Sequence, residues 1–243
     1  MSERTLDRLA RVVVRRDLEI HRSHLGPYAA RWHFSFADYQ DPTHIGIGAL
    51  RVFNHESLPP AARLVPHSHS HAQCVTYVVS GEFQHRDAVL ESGRLDAGGV
   101  QRMTLTSAAD YLEWNPSATE GLELLQIWLA FERSPTHLVE KRQYRLADRE
   151  NRWLQVARPH GHGGTGLAVD SDASVLVTRL DPGRSVHHVI SPARGGYAYL
   201  IAGAADLNEH RLESGDAAVI TEEGMVEVEA HRPTELMLVD TRL

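Results

Sequence analysis

The sequence predicts an all-β protein made of two similar halves, and three observations support this prediction. Short runs of β-branched and aromatic residues recur along the chain, with turn residues between them at intervals of roughly eight to twelve residues. Within many runs apolar and polar residues alternate, as they do in half-buried strands. The pattern pauses at a charged stretch near the middle and then resumes. Together these features predict two β-barrel domains with short helices, and the jelly roll is the candidate class.

The first half is assigned to a domain spanning residues 1–133. A short helix or arm is expected within residues 1–20, and Trp32, Phe34 and Phe36 are expected on one face of a strand. Further strands are predicted at 47–54, 67–79, 82–87, 100–105, around 111–113 and at 122–131, separated by turn residues such as Pro59–Pro60, Gly81 and Gly93.

Residues 134–150 are charged and are interpreted as a linker to a second domain, residues 151–243. Strands are predicted there at 175–180, 185–190, 197–201, 217–221, 226–229 and 235–239. His187 and His188 are adjacent, so on a strand they face opposite sides and cannot hold one ion together. The second domain is therefore expected to carry no metal ligands.

The composition excludes several classes of protein. A formal charge of −7 argues against direct binding of nucleic acid, which normally needs a basic face. No apolar run is long enough to span a bilayer, and residues 1–16 lack the core of a signal peptide. The single Cys74 cannot form an internal disulfide. We expect a cytoplasmic monomer with no membrane contact.

Three histidines alternate with small residues in the stretch Val65-Pro66-His67-Ser68-His69-Ser70-His71. On a strand, side chains two residues apart share a face, so His67, His69 and His71 are expected to point the same way. Histidine is the commonest metal ligand, and the stretch therefore predicts a metal site. Cys74 falls out of phase with the histidines and is interpreted as a buried structural thiol.

A second strand is needed to complete such a site, and the candidate contains Tyr111 and Glu113. These residues are two apart and share a face if the segment is extended. His67, His69 and Glu113 alone would form the two-histidine, one-carboxylate set that holds ferrous iron in non-haem oxygenases. His85 is interpreted as a polar residue of an edge strand, with a fourth metal ligand as the alternative.

At these positions the chain resembles the pirin family of two-domain cupins. The stretches that carry the resemblance are Trp32–Tyr39 with Asp41-Pro42, Ala49–Val52, Pro66–His69, Thr76–Val78 with Gly81, His85–Asp87, Glu113–Ser117 and Leu125–Trp128. The resemblance implies two cupin domains face to face, with one mononuclear metal, usually iron, in the N-terminal domain. It also implies that some bacterial members are quercetin 2,3-dioxygenases, whereas the animal members are nuclear regulatory cofactors.

The family's ligand set implies a role for each position. His67, His69 and Glu113 match the family's ligands, but Tyr111 stands where the family has its third histidine. The family's usual glutamate in the first motif is Gln73 here, and its usual aspartate is His71; both are expected behind the ligands. Tyr111 could ligate iron as a phenolate, donate a hydrogen bond to a bound water, or fill the space of a lost metal.

Three hypotheses for the function follow. The first is a dioxygenase that acts on a flavonol-type, quercetin-like aromatic substrate, with Glu113 doubling as the catalytic base. The second is a non-enzymatic regulatory or redox-sensing protein, and the third is a degenerate cupin that binds a small organic ligand without metal. The expected cofactor is one divalent metal; Fe(II) is favoured, Zn, Ni, Mn and Cu are alternatives, and Tyr111 leaves a metal-free site open.

Overall fold

The structure, a computed structural model, describes residues 8–63, 67–69, 72–87, 93–105, 109–131 and 138–243 of the chain. For residues 67–69 and 109–111, and for Leu25, Ala72, Asp87 and Leu105, the backbone alone is described. Nearly all regular structure within these ranges is β-strand, and the helices are short, so the predicted all-β class with short helices is confirmed.

Short strands follow one another along the described part of the chain, with two short helices, one near the start and one after the middle of the chain. The strands up to the middle of the chain are β1 (Val12–Arg15), β2 (His21–Leu25), β3 (Tyr28–Trp32), β4 (Leu50–Leu58), β5 (His67–His69), β6 (Ala72–Ser80), β7 (Glu82–Asp87), β8 (Gly93–Asp96), β9 (Gly99–Leu105), β10 (Ala109–Trp114), β11 (Leu122–Leu129) and β12 (Leu138–Gln143). The later strands are β13 (Leu154–Pro159), β14 (Leu167–Val169), β15 (Ala173–Leu180), β16 (Ser185–Ile190), β17 (Arg194–Ala202), β18 (Ala204–Leu207), β19 (His210–Glu213), β20 (Ala217–Ile220), β21 (Gly224–Ala230) and β22 (Thr234–Arg242). A 3₁₀ helix spans Asp17–Glu19, and helix α1 spans Leu146–Arg149.

These strands form two barrels, each made of a seven-stranded and a four-stranded sheet. The first barrel pairs the sheet β12-β9-β6-β11-β4-β3-β2 with the sheet β5-β10-β7-β8. The second pairs β1-β20-β17-β22-β15-β13-β14 with β16-β21-β18-β19. The equivalent strand counts confirm the duplicated architecture that the sequence predicts.

The two seven-stranded sheets pack against each other and share one apolar core. That core includes Phe53 and Ile127 from the first sheet and Tyr197 and Met237 from the second, all fully buried. The rings of Phe53 and Tyr197 lie 5.4 Å apart between centroids and meet edge to face, a favourable geometry for aromatic pairs. The barrels are therefore joined through a hydrophobic interface, which leaves the opposite face of each large sheet to line a barrel interior.

The structure differs from the predicted domain boundaries at two points. β1 pairs with β20, so residues 12–15 extend the sheet of the second barrel. β12, inside the predicted linker 134–150, pairs with β9 and extends the sheet of the first barrel. Neither contact has a local sequence signal, because each joins segments that are far apart in the chain.

Two local strand predictions were wrong. β3 ends at Trp32, and Phe34 belongs to the core between the barrels, whereas Trp32 and Phe36 pack inside the first barrel. The single strand predicted at 67–79 is two strands, because β5 lies in the four-stranded sheet and β6 in the seven-stranded sheet. In the described ranges, no helix has the length and apolar character needed to cross a membrane.

Candidate metal centre

Two neighbouring strands of the first barrel's four-stranded sheet carry the predicted ligand positions. β5 runs antiparallel to β10, with His67 opposite Tyr111 and His69 opposite Ala109. Residues directly opposite each other in an antiparallel pair share a face, as do residues two apart on one strand. The register therefore places positions 67, 69 and 111 on one face of this sheet.

Glu113 belongs to the same face, because it lies two residues beyond Tyr111 on β10. Its cross-strand neighbour on β7 is His85. Glu113 is 2% exposed and His85 is fully buried, so this face of the sheet points into the barrel. The prediction that two separate segments bring positions 67, 69, 111 and 113 to one face agrees with the backbone register. The assignment of these four residues as metal ligands stays a prediction.

His85 is a residue whose position the sequence did not reveal. It was expected on a polar edge strand, yet β7 lies between β10 and β8 in the sheet. The His85 ring also lies parallel to the ring of Phe83, with 6.3 Å between centroids, inside the first barrel. The i, i+2 spacing of Phe83 and His85 was the available signal, since it places both on one face.

The Glu113 carboxylate is held from the opposite wall of the barrel. Gln126 on β11 donates a hydrogen bond from Nε2 to Glu113 Oε2 at 2.8 Å. The other oxygen, Oε1, is buried and makes no hydrogen bond within the described part of the chain. Burial, followed by the nearby charge of Glu56, raises the pKa of Glu113 to about 8, although the Gln126 hydrogen bond opposes this shift.

Glu56 is a second buried carboxyl that the sequence analysis missed. It lies on β4, is 3% exposed and accepts a hydrogen bond from Asn54 Nδ2 at 3.4 Å. Burial raises its pKa to about 7, and hydrogen bonds from Tyr28 and Asn54 act in the opposite direction. The predicted strand ended at Asn54, so the alternation that places Asn54 and Glu56 on one face was not followed far enough.

Gln73 and His71 were both predicted to stand behind the ligands. The structure places Gln73 elsewhere: its Nε2 donates to Thr104 Oγ1 at 2.9 Å and to Asp170 Oδ2 at 3.1 Å, and its Oε1 accepts from the Asp170 backbone N–H. Asp170 belongs to the second barrel, so Gln73 connects the barrels. Gln73 differs from the prediction because it lies on β6, a new strand in which the alternation of β5 no longer determines the direction of the side chains. His71 lies outside the described residues.

Cys74 is a free, buried thiol, as predicted. Its side chain does not face away from the site, however, because β6 is a separate strand and the alternation of β5 does not continue into it. Burial and the nearby charge of Glu113 raise the pKa of Cys74 well above its ordinary value. The thiol therefore stays protonated at neutral pH and behaves as a small apolar group.

The donor set fits a divalent cation at this face of the sheet. A buried carboxylate oxygen without a hydrogen-bond donor gains stability when a cation lies beside it, and imidazole is the usual companion ligand. Among the side chains that the structure describes, no three His, Cys, Asp or Glu residues lie close enough to hold an ion. The imidazoles of His67 and His69 and the phenol of Tyr111 are not among those side chains.

Two barrels packed through their large sheets, the first with a polar interior, define the class of two-domain cupins. The Pirin family model matches residues 15–129, and the model described as the quercetinase C-terminal cupin domain matches residues 155–241. A pirin-like protein of Caulobacter vibrioides is 33% identical over 214 residues, which cover 87% of this chain and 91% of that protein. The chain belongs to the pirin family.

Two further relatives bear on the site. Quercetin 2,3-dioxygenase of Escherichia coli K12 is 29% identical over 86% of this chain and 90% of its own length. The crystal structure of the bacterial pirin YhhW of Escherichia coli, in complex with nickel(II), superimposes with a TM-score of 0.87 at 27% identity. The superposition covers 96% of this chain and 99% of the YhhW chain, so the likeness extends over both barrels.

Proposed function

We propose that the first barrel holds one divalent metal through His67, His69 and Glu113, with Tyr111 at the fourth position. We further propose that the protein is a dioxygenase of flavonol-type substrates. The observation that carries the proposal is the register of β5 and β10, which brings these four positions to one inward face. The unpaired, buried Oε1 of Glu113 adds an oxygen that a cation would stabilise.

The relatives support the choice of chemistry. One is named quercetin 2,3-dioxygenase, and another is a pirin whose structure contains nickel(II). A bound metal would supply Lewis acidity and, in the case of iron, electron transfer with dioxygen. Fe(II) is the ion we favour, because two histidines and a carboxylate are its usual ligands in oxygenases.

The protein's own residues would orient the site and handle protons. Gln126 fixes one oxygen of Glu113 by its hydrogen bond, which leaves Oε1 directed to the ion or to the substrate. In the metal-free barrel burial raises the pKa of Glu113, and a cation beside the carboxylate would lower it again, so the metal would keep Glu113 charged and able to accept a proton from a substrate hydroxyl. The apolar cluster inside the same barrel, which includes Phe83 and Leu124, would exclude water from the reacting groups.

The test is metal analysis and turnover on protein purified without a histidine tag. After anaerobic loading with Fe(II), the chain should retain about one iron and cleave quercetin once oxygen is admitted, as judged by product mass. His67→Ala should lose both properties, whereas His187→Ala, an exposed histidine of the second barrel, should keep them. Absence of ring cleavage with Fe, Ni, Mn, Zn and Cu would overturn the dioxygenase proposal.

A metal-free barrel that binds an organic ligand is the second candidate, and Tyr111 favours it. A tyrosine replaces an imidazole ligand of the family, and the raised pKa values of Glu56 and Glu113 let both carboxyls be neutral without a cation. Elemental analysis separates the candidates, because this one expects no stoichiometric metal in protein from a metal-supplemented culture.

A further inference from the structure

Glu56 lies inside the first barrel with two donors beside it, the Tyr28 hydroxyl and the Asn54 amide, and neither meets its Oε2 at hydrogen-bond geometry. On β4 its cross-strand neighbours are Ala30 and Leu124, which offer no hydrogen-bond donor from their side chains. Its Oε2 makes no hydrogen bond within the described residues, and its Oε1 accepts the long bond from Asn54. Most buried polar atoms in proteins are paired, so this oxygen requires an explanation.

Asn54 also has a buried side-chain oxygen that no described residue pairs with. Its side chain is fully buried, its Nδ2 is directed at Glu56, and its Oδ1 accepts no hydrogen bond within the described part of the chain. Glu56 Oε2 and Asn54 Oδ1 are therefore two neighbouring acceptors that no donor among the described residues meets at hydrogen-bond geometry, although the Tyr28 hydroxyl is near enough to Glu56 to lower its pKa. A ligand that fits them must bring hydrogen-bond donors.

The pair is connected to the candidate metal centre. Asn54 lies directly opposite Gln126 in the sheet, and Gln126 donates to Glu113. The charge of Glu56 is close enough to raise the pKa of Glu113, so both carboxyls share one space although they belong to different sheets. The acceptors thus lie beside the proposed ligand Glu113 and on the opposite wall of the barrel.

We propose that Glu56 and Asn54 bind hydroxyl groups of the organic substrate, and that they select polyhydroxylated aromatic rings. This inference rests on the proposed function, since it places the substrate between the metal centre and β4. The hydroxyls concerned are those that point away from the metal. Each would donate to Glu56 Oε2 or to Asn54 Oδ1, and both buried acceptors would then be paired.

The test compares quercetin with 3-hydroxyflavone, which keeps the 3-hydroxyl and 4-carbonyl groups but lacks the other hydroxyls. Affinities are measured by calorimetry at pH 8 on the full chain loaded with Zn²⁺, which has no redox chemistry and so prevents turnover. The wild type should bind quercetin at least 10-fold more tightly than 3-hydroxyflavone. Glu56→Gln should weaken quercetin binding at least 10-fold and leave 3-hydroxyflavone and the zinc content unchanged.

Glu123→Gln is the matched control, because Glu123 lies on the neighbouring strand β11 with its side chain 49% exposed. It should alter neither affinity. Equal affinity of Glu56→Gln and the wild type for quercetin would overturn the inference and leave the proposed function standing. A wild type that binds neither zinc nor quercetin would overturn both.

Folding of the variant is followed by thermal unfolding. If Glu56→Gln does not fold, the ratio of the wild-type affinities for quercetin and 3-hydroxyflavone still tests the inference. A ratio near one would overturn the inference, because no hydroxyl beyond the 3-position would then contribute to binding.

Discussion

The two barrels have matching sheets but opposite interiors. The interior of the second barrel is an apolar cluster that includes Leu176, Leu200, Leu236 and Leu238. The interior of the first barrel contains a polar row of four residues that neighbour one another across the seven-stranded sheet: Asn54, Gln126, Thr76 and Gln101. Glu56 and Glu113 lie beside this row. The comparison shows that one architecture can enclose a packed apolar core in one half and a polar chamber in the other.

The difference has an energetic consequence. Apolar burial stabilises the second barrel, whereas each unpaired buried polar atom of the first costs roughly 1–3 kcal/mol. Glu56 Oε2, Glu113 Oε1 and both side-chain polar atoms of Gln101 belong to this class within the described residues. The first barrel is therefore expected to gain more stability from a ligand than the second.

The largest expected effect is a cavity in the second barrel. Leu238→Ala should lower the free energy of unfolding by about 2–5 kcal/mol, because Leu238 is fully buried among other leucines. Thr76→Val, at an interior position of the first barrel, should change it by less than about 1 kcal/mol, since the shape is kept and the hydroxyl makes a weak contact at most. Urea unfolding measures both, and similar losses would contradict the difference between the interiors.

The next effect is a dependence of stability on pH in the metal-free first barrel. Glu56 and Glu113 have folded pKa values of about 7 and 8 against an ordinary value of 4.5. Between pH 4.5 and these folded pKa values, the folded state holds protons that the unfolded state has released. The free energy of unfolding therefore falls as pH rises through this range. We expect a loss on the order of 3 kcal/mol for Glu56 alone, complete above about pH 7.

The measurement is urea unfolding of chelator-treated protein at pH 5 and pH 9. Glu56→Gln should flatten the dependence and be more stable than the wild type at pH 9. Glu123→Gln should not flatten it, because the hydrogen bond from His55 lowers the pKa of Glu123. If the free energy of unfolding of Glu56→Gln fell between pH 5 and pH 9 as much as that of the wild type, Glu56 would not hold its proton in the folded state.

The smallest effect concerns hydrogen bonds that join the barrels. His33 Nδ1 and Tyr197 Oη are 2.7 Å apart, both residues are fully buried, and His33 Nε2 has no hydrogen-bond partner among the described residues. Tyr197→Phe should cost about 1–2 kcal/mol, since it leaves the His33 imidazole without a hydrogen bond to any described residue. Tyr199→Phe breaks the equivalent 2.7 Å bond to His55, whose other nitrogen lies 3.8 Å from Glu123, and should cost less.

Thermal unfolding of the two variants shows directly which of them loses more stability. A larger loss for Tyr199→Phe than for Tyr197→Phe would show that the remaining contact of His55 does not compensate for the lost bond.

The fold and the two site segments were accessible from sequence because alternation is a local signal. Turn residues and β-branched runs located most strands, and the i, i+2 spacing of His67 with His69 and of Tyr111 with Glu113 indicated which positions share a face. The break between β5 and β6 was not accessible, since neither Gly nor Pro marks it. That single break moved Gln73 and Cys74 to faces other than those predicted.

Glu56 and His85 escaped prediction for a different reason. Their burial depends on which strands neighbour β4 and β7, and that pairing is set by contacts distant in sequence. A polar residue on an alternating strand is assigned to the solvent face unless its neighbours are known. The residues that distinguish a polar interior from an exposed surface are thus the hardest to assign from one sequence.

The pairing of β1 with β20 has a consequence for the order in which the protein can assemble. Val12 is synthesised early and cannot pair with Ile220 until the first barrel and most of the second have followed it. The strands of the first barrel can associate while later strands are still being made, whereas β1 has no neighbour in its own sheet until β20 is synthesised. The second barrel therefore acquires its complete sheet last, and β1 must stay available for it while the first barrel folds.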